Sequence, residues 1–168
     1  MKELTQERLK SIFHYDPDTG IFTRIAKIGR RGKIGNTVGT LHKVYGYIIF
    51  RVDGVLYLSH RLAWLYVFGY LPKFQVDHIN HNRADNKILN LREVTHSDNQ
   101  RNKSLSKRNK SGVTGVYWYE PTKKWHASIM GNGKIIHLGY FANKIDAVKV
   151  RKDAEFKYGY HKNHGGVL

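Results

Sequence analysis

The sequence predicts an α+β protein built as two small domains. Three observations carry that prediction: short β-runs broken by turn dipeptides, isolated helical segments with capping residues, and a change of composition near residue 105. A chain of 168 residues is long enough for one ordinary domain or two small ones. The change of composition favours two.

Charge and cysteine content narrow the chemistry. The chain holds 29 Lys+Arg against 13 Asp+Glu, a formal net charge of +16. Such a surface repels itself unless it meets a polyanion, so nucleic acid is the leading partner, with a merely soluble or ribosomal-type basic protein as the plainer reading. With no cysteine there is no disulfide and no thiolate zinc site, and any metal must be held by His, Asp, Glu or Asn. Met1 to Lys10 is charged and lacks an apolar signal core, and the longest apolar stretch, Leu62 to Tyr70, is too short to cross a bilayer. The expectation is a cytoplasmic protein with no membrane partner.

The elements follow in order. Residues 1–44 form a basic N-terminal region. Between Arg24 and Arg51, Arg30, Arg31, Lys33 and other cations stand among Gly29, Gly32, Gly35 and Gly39 with no acid, which suits a flexible loop lying along phosphates or simply a solvated one. Tyr45 to Val52 and Val55 to Leu58, joined by Asp53-Gly54, read as a hairpin. Ser59 is expected to cap a helix over His60 to Phe68, ended by Gly69 and Pro72. Gln75 to Val94 reads as strand, Asn-rich loop, strand. Thr95-His-Ser-Asp98 matches a capping box in its Asp form, so a helix is expected from His96 with Asn99 in its first turn.

Past residue 104 the pattern changes. Residues 105–110, with Lys107, Arg108 and Lys110, have almost nothing to bury and read as a basic linker. Gly115–Tyr119, Trp125–Met130 and Lys134–Leu138 are three short β-runs separated by Pro121-Thr-Lys-Lys and Gly131-Asn-Gly133. Asn143-Lys-Ile-Asp146 opens a helix placing Ala147, Val150, Ala154 and Tyr158 on one stripe before Gly159. Residues 161–168 are a tail.

Residues 76–102 hold what phosphodiester hydrolysis requires: a base to activate water, a cation to neutralise charge at phosphorus and the leaving oxygen, and a group to hold the base in register. His78 is the candidate base, since an imidazole titrates near neutrality. Asp77 is the candidate ligand for Mg²⁺, which favours a few carboxylate or carbonyl oxygens. Neighbours on a strand point to opposite faces, so the two share a site only where the strand ends or bends. Arg92 suits either a phosphate clamp or an ion pair with an acid such as Glu93 or Asp85, and His60 suits a place behind the site.

Val76-Asp-His-Ile-Asn-His-Asn82, Asn90-Leu-Arg92 and Asn99, with His60-Arg-Leu62 upstream, resemble the HNH nuclease family in its His-Asn-Asn variant, and most of all the small phage-borne homing endonucleases of group I introns. The resemblance implies a ββα-metal core over residues 45–104. It also implies that Asp77 and Asn99 bind the cation, His78 activates water and Asn90 orients the imidazole. Asn99 in place of a last histidine favours Mg²⁺, with Mn²⁺ as substitute, over zinc.

Ser111-Gly-Val-Thr-Gly-Val-Tyr-Trp118, Lys124-Trp125 and Lys134-Ile-Ile-His-Leu-Gly-Tyr-Phe141 resemble the AP2 DNA-binding domain, over residues 111–160. That family lays a three-stranded antiparallel sheet into the major groove with one helix packed behind. On this analogy Thr114, Tyr117, Tyr119, Ser128, Met130, Ile135 and His137 face DNA, while Trp118, Ile129, Ile136 and Leu138 face the helix. The plant family favours arginines where this chain has Tyr117, Tyr119, Met130 and Ile135, so readout would lean on aromatic and methyl contacts and on DNA shape.

Together these readings predict a site-directed endonuclease acting on double-stranded DNA, favoured as a monomer over a dimer and nicking one strand at a time, intron-homing or free-standing, in a bacterium or phage-infected host. The alternatives are a non-catalytic DNA-binding regulator with an inactive core, and an RNA-binding ribosome-associated protein.

Overall fold

The computed structural model describes residues 3–27, 32–95, 99 and 104–166. The chain divides into two compact units, Met1–His96 and Ser97–Leu168. The division thus falls earlier than the composition break near residue 105.

In the first unit Thr5 caps helix α1 (Gln6–Ile12), its hydroxyl accepting from Arg8 N–H at 3.2 Å. Leu9 and Ile12 are buried, and the chain passes directly into β1 (Phe13–Asp16), whose alternation buries Phe13 and Tyr15. A turn set by Asp16, which accepts from Asp18 N–H at 2.9 Å and the Thr19 hydroxyl at 2.8 Å, returns the chain as β2 (Ile21–Arg24). Two short strands follow, β3 (Thr37–Val38) and β4 (Thr40–Leu41). The first extends β1–β2 and the second pairs with β5 (Ile48–Val52). The basic segment is therefore not all loop, because its Thr-rich runs satisfy two sheet edges. Arg30 and Arg31 lie outside the described residues.

The Asp-Gly hairpin is present. Asp53 (φ 48°) and Gly54 (φ 84°) turn β5 into β6 (Val55–Leu58). Helix α2 (Ser59–Phe68) starts at once, with Leu58 and not Ser59 at the cap position and no side-chain cap; Ser59 is buried in the first turn. Gly69 (φ 84°) ends it in the left-handed conformation. β7 (Gln75–His78) and β8 (Leu91–Val94) form the expected hairpin around the Asn-rich loop, closed by a 3₁₀ turn at Ile88–Asn90.

These elements share one core: Leu9, Ile12, Phe13, Tyr15, Phe22, Phe50, Leu62, Ala63, Leu65, Val76 and Leu91 among others. Phe13, Phe22 and Phe50 meet with centroids 5.2–6.4 Å apart. Each such ring contributes about 1.5–3 kcal/mol by burial. The N-terminal residues are thus wall and floor of the first unit and not a separate region, which composition alone could not reveal.

In the second unit β9 (Val116–Tyr119), β10 (Lys124–Gly131) and β11 (Lys134–Phe141) form an antiparallel sheet with β10 central, and α3 (Lys144–Lys157) packs on one face. Its apolar core is small, centred on Val116, Ala127 and Ala147. Arg151, 2% exposed, adds what apolar bulk does not. Its guanidinium donates to Ser128 C=O at 3.1 Å, lies 3.2 Å from Glu155 and stands over the Tyr160 ring. The expected stripe on this helix omitted it. The expected linker and tail are held in this unit: Leu105 N–H donates to Gly166 C=O at 3.1 Å, the Asn109 and Ser111 side chains bond to Val113 C=O, and Tyr160 O–H donates to Met130 C=O.

Candidate active site

β7 ends at His78, the condition for Asp77 and His78 to act together, and the chain turns there with His81 N–H donating to His78 C=O at 2.9 Å. In register, Asp77 faces Arg92 and His78 faces Leu91. Arg92 donates through Nε (3.1 Å) and Nη2 (2.9 Å) to Asp77 Oδ2. Its ion-pair partner is therefore Asp77 and not Glu93 or Asp85. This pair aims the carboxylate and offsets its charge.

His78 is 3% exposed. Its Nε2 lies 3.1 Å from Asn86 Oδ1. An amide oxygen only accepts, so the imidazole hydrogen sits on Nε2 and the basic lone pair of the neutral ring on Nδ1. The His60 ring stands edge-to-face against it, centroids 5.0 Å apart, and Tyr47 lies against both. Burial pushes the His78 imidazole below its ordinary range, opposed by Asn86, Asp77 and Asp85. His60 is driven down to about 3, first by burial and then by His78 and Arg61. Both rings are neutral at pH 7, the form a base requires.

Asn90 does a different job from the one expected. Its Nδ2 donates to Asn80 Oδ1 (2.9 Å) and Asp85 C=O (2.8 Å), and its Oδ1 accepts from Asn80 N–H (3.0 Å). Asn90 braces the loop, and Asn86 meets the histidine. Asn86 is itself held by the N-terminal elements. Its carbonyl accepts from the buried Tyr15 hydroxyl at 2.7 Å, and a Cβ at Gly20 would stand 2.5 Å from its carbonyl carbon. Gly20 also has φ 75°, so two requirements select glycine there. No sequence feature separates Asn86 from Asn80, Asn82 or Asn90 by residue type. The signal for its support was present in Thr5 and the Asp16-Pro-Asp-Thr-Gly20 turn.

Of the residues expected to hold a cation, Asp77 in the first unit carries a carboxylate and Asn99 in the second an amide oxygen. That donor set fits a hard divalent ion. Among the described residues no three His, Cys, Asp or Glu side chains cluster as a zinc cage would need. Asn99 is helical, as expected; it is half-buried and falls in the second unit and not with the nuclease core, and the proposed capping residues His96 to Asp98 lie outside the described residues.

In the second unit Lys107, Arg108 and Lys110 are exposed, as is Lys33 in the first. On the sheet, Tyr117 pairs with His126, Tyr119 with Lys124, Ser128 with His137 and Met130 with Ile135 on the face away from α3. Two members of this face escaped sequence reasoning. A bulge opposite Ala127 and Ser128 inserts Leu138 into β11, so that His137 and Tyr140, three residues apart, lie on one face with centroids 4.8 Å apart. His126 is the other. Trp118, expected under the helix, lies across from Trp125 but is 44% exposed, its Nε1–H donating to Glu120.

No solved structure matches the chain. Protein 3.8 of Escherichia phage T7 is 30% identical over 76 residues, which is 45% of this chain, and the chain spans 63% of the length of that protein. Residues 57–101, which carry His60, Asp77, His78, Asn86, Asn90 and Arg92, match the HNH endonuclease family.

Proposed function

We propose that this chain is a metal-dependent DNA endonuclease of phage origin, homing-type or otherwise mobile, with His78 as general base. The observation that carries this reading is the pinned imidazole: Asn86 holds Nε2, which leaves Nδ1 as the basic nitrogen at the end of a strand that also presents Asp77. As Nδ1 takes a proton from water, the water oxygen bonds to phosphorus and the bond from phosphorus to the leaving sugar oxygen breaks. Asp77 and Asn99 would hold Mg²⁺ or Mn²⁺, which when bound neutralises charge on the phosphorane and the leaving oxygen. Arg92 keeps Asp77 aimed, and Tyr47, His60 and the Asn90-braced loop keep water away from the rest of the imidazole. One base serves one strand, so a monomer nicks.

The second unit anchors the nuclease on duplex DNA in the manner of an AP2 domain. A three-stranded sheet with one covered face, an open face of aromatics and the exposed Lys107, Arg108 and Lys110 support that reading. The place of action is the cytoplasm of a phage-infected bacterium. Supercoiled plasmid incubated with the protein in Mg²⁺ should become nicked circles, and EDTA should prevent it; intact plasmid in both Mg²⁺ and Mn²⁺ would reject the enzyme reading.

A further inference from the structure

On the open face of the second unit's sheet, His126 is surrounded by rings. Its centroid lies 4.6 Å from Tyr117, 4.7 Å from His137 and 5.2 Å from Tyr140. His126 Nε2 and His137 Nδ1 are 2.8 Å apart. Two neutral imidazoles at that distance share one hydrogen, so one ring donates and the other accepts. The second nitrogen of His126 decides which. Its Nδ1 is buried and has no hydrogen-bond partner among the described residues. A buried N–H without an acceptor is rarer than a buried acceptor without a donor. His126 therefore carries hydrogen on Nε2 and gives it to His137 Nδ1, and the exposed His137 ring must hold its own hydrogen on Nε2. Burial, and then His137, hold His126 below the ordinary imidazole range, which keeps the inner ring neutral.

Charge narrows what this face meets. By register the open face carries Lys124, opposite Tyr119, and no Asp or Glu, whereas Lys134 lies opposite Gly131 on the side of the helix. The complement is an anionic surface that offers hydrogen-bond acceptors to a flat face, which duplex DNA does through phosphates and the major-groove edges of its bases.

We propose that His126 locks His137 as a hydrogen-bond donor to purine N7 in the major groove, so that this pair sets base preference at one position of the target. The inference rests on the sheet being the DNA-facing surface. In that groove guanine and adenine both offer N7 as an acceptor and thymine offers O4 beside its methyl group, whereas cytosine offers an amino donor that an Nε2–H repels. Because the lock is made inside the protein, the preference is present before DNA arrives.

Two measurements on the full chain test it. Long-range ¹⁵N–¹H spectra of the histidine rings, taken without DNA, should show hydrogen on Nε2 of both His126 and His137; hydrogen on His126 Nδ1 overturns the lock. Selection from a pool of duplexes with a randomised core should then yield a site with one purine whose 7-deaza replacement weakens binding about tenfold, roughly the low end for a base-edge contact. His137→Phe, at an exposed position, should remove that sensitivity while phosphate-driven binding persists. His126→Phe should reduce it. Selected duplexes in which no purine is sensitive to 7-deaza replacement, or sensitivity unchanged in His137→Phe, overturn the proposal. Failure of the wild type to bind the duplex pool at all, with the ring tautomers as stated, instead sinks the DNA reading beneath it.

Discussion

Replacing Asn86 by alanine removes the acceptor for His78 Nε2 and little else. The Asn86 backbone keeps its bond from Tyr15, and the loop keeps the Asn80, Asp85 and Asn90 network. The bond removed is a buried one of 3.1 Å, and His78 is 3% exposed, so the Nε2–H is left without that partner in a place where water is scarce. Orphaning one buried polar group costs about 1–3 kcal/mol. If the imidazole escapes this cost by turning its ring or moving its hydrogen to Nδ1, the basic lone pair is lost from the working position by the same free energy. That corresponds to a fall of roughly 5- to 150-fold in the rate of nicking, since 1.36 kcal/mol is a factor of ten. The assay is single-turnover nicking of supercoiled plasmid in Mg²⁺, with DNA affinity measured by gel shift. Affinity should stay within about twofold, because Asn86 is buried, and Asn86→Asp, which keeps an oxygen acceptor, should lose less rate than Asn86→Ala. An unchanged rate in a folded Asn86→Ala protein would refute the reasoning, as would loss of rate and affinity in equal measure.

Other outcomes follow from the same structure. His60 has a folded pKa of about 3 against an ordinary 6.5, so the unfolded chain binds a proton that the folded one does not, and stability is lost as pH falls from 6.5 toward 3. His60→Phe keeps a ring against His78 and should reduce the slope of unfolding free energy on pH in that window by about 1 kcal/mol per pH unit, checked by urea melts; an unchanged slope would mean His60 titrates freely. Arg151→Ala strips Ser128 C=O of a donor and removes one cation from Glu155, and should cost the second unit about 3–5 kcal/mol in a denaturant melt, where a loss below about 1 kcal/mol would show the buried guanidinium to be dispensable. Replacing Lys107, Arg108 and Lys110 together by Gln should lower the slope of log K on log salt by up to about 3 without changing the selected sequence; no change in slope would place those cations away from phosphates.

Local chemistry was legible where it was encoded within a few residues. The Asp-Gly hairpin, the strand-loop-strand of Gln75 to Val94, the three C-terminal strands and the Asp77-His78 pair all declare themselves by alternation and turn residues. Contacts made across the chain were not. Asn86 is one asparagine among several in a loop whose residue type suits turns, and only Tyr15 and Gly20, more than sixty residues earlier, single it out. Tyr140 was missed because a bulge in β11 breaks the two-residue period on which face assignment rests, whereas His126 shares the unbroken alternation of Ser128 and Met130 and was legible from it. Arg151 was missed because a charged side chain in a small core contradicts the apolar stripe used to find helix faces. The N-terminal helix and strands were hidden behind the charge of their segment, although Thr5 and the Asp16–Gly20 turn marked both.

The central claim is that His78 activates the attacking water. Single-turnover plasmid nicking by His78→Ala in Mg²⁺, beside a gel shift on the same DNA, tests it most directly. Nicking about 10²- to 10⁴-fold slower with nearly unchanged DNA affinity is the expected result. Wild-type nicking by His78→Ala would contradict the claim, and parallel loss of nicking and affinity would make His78 a structural residue.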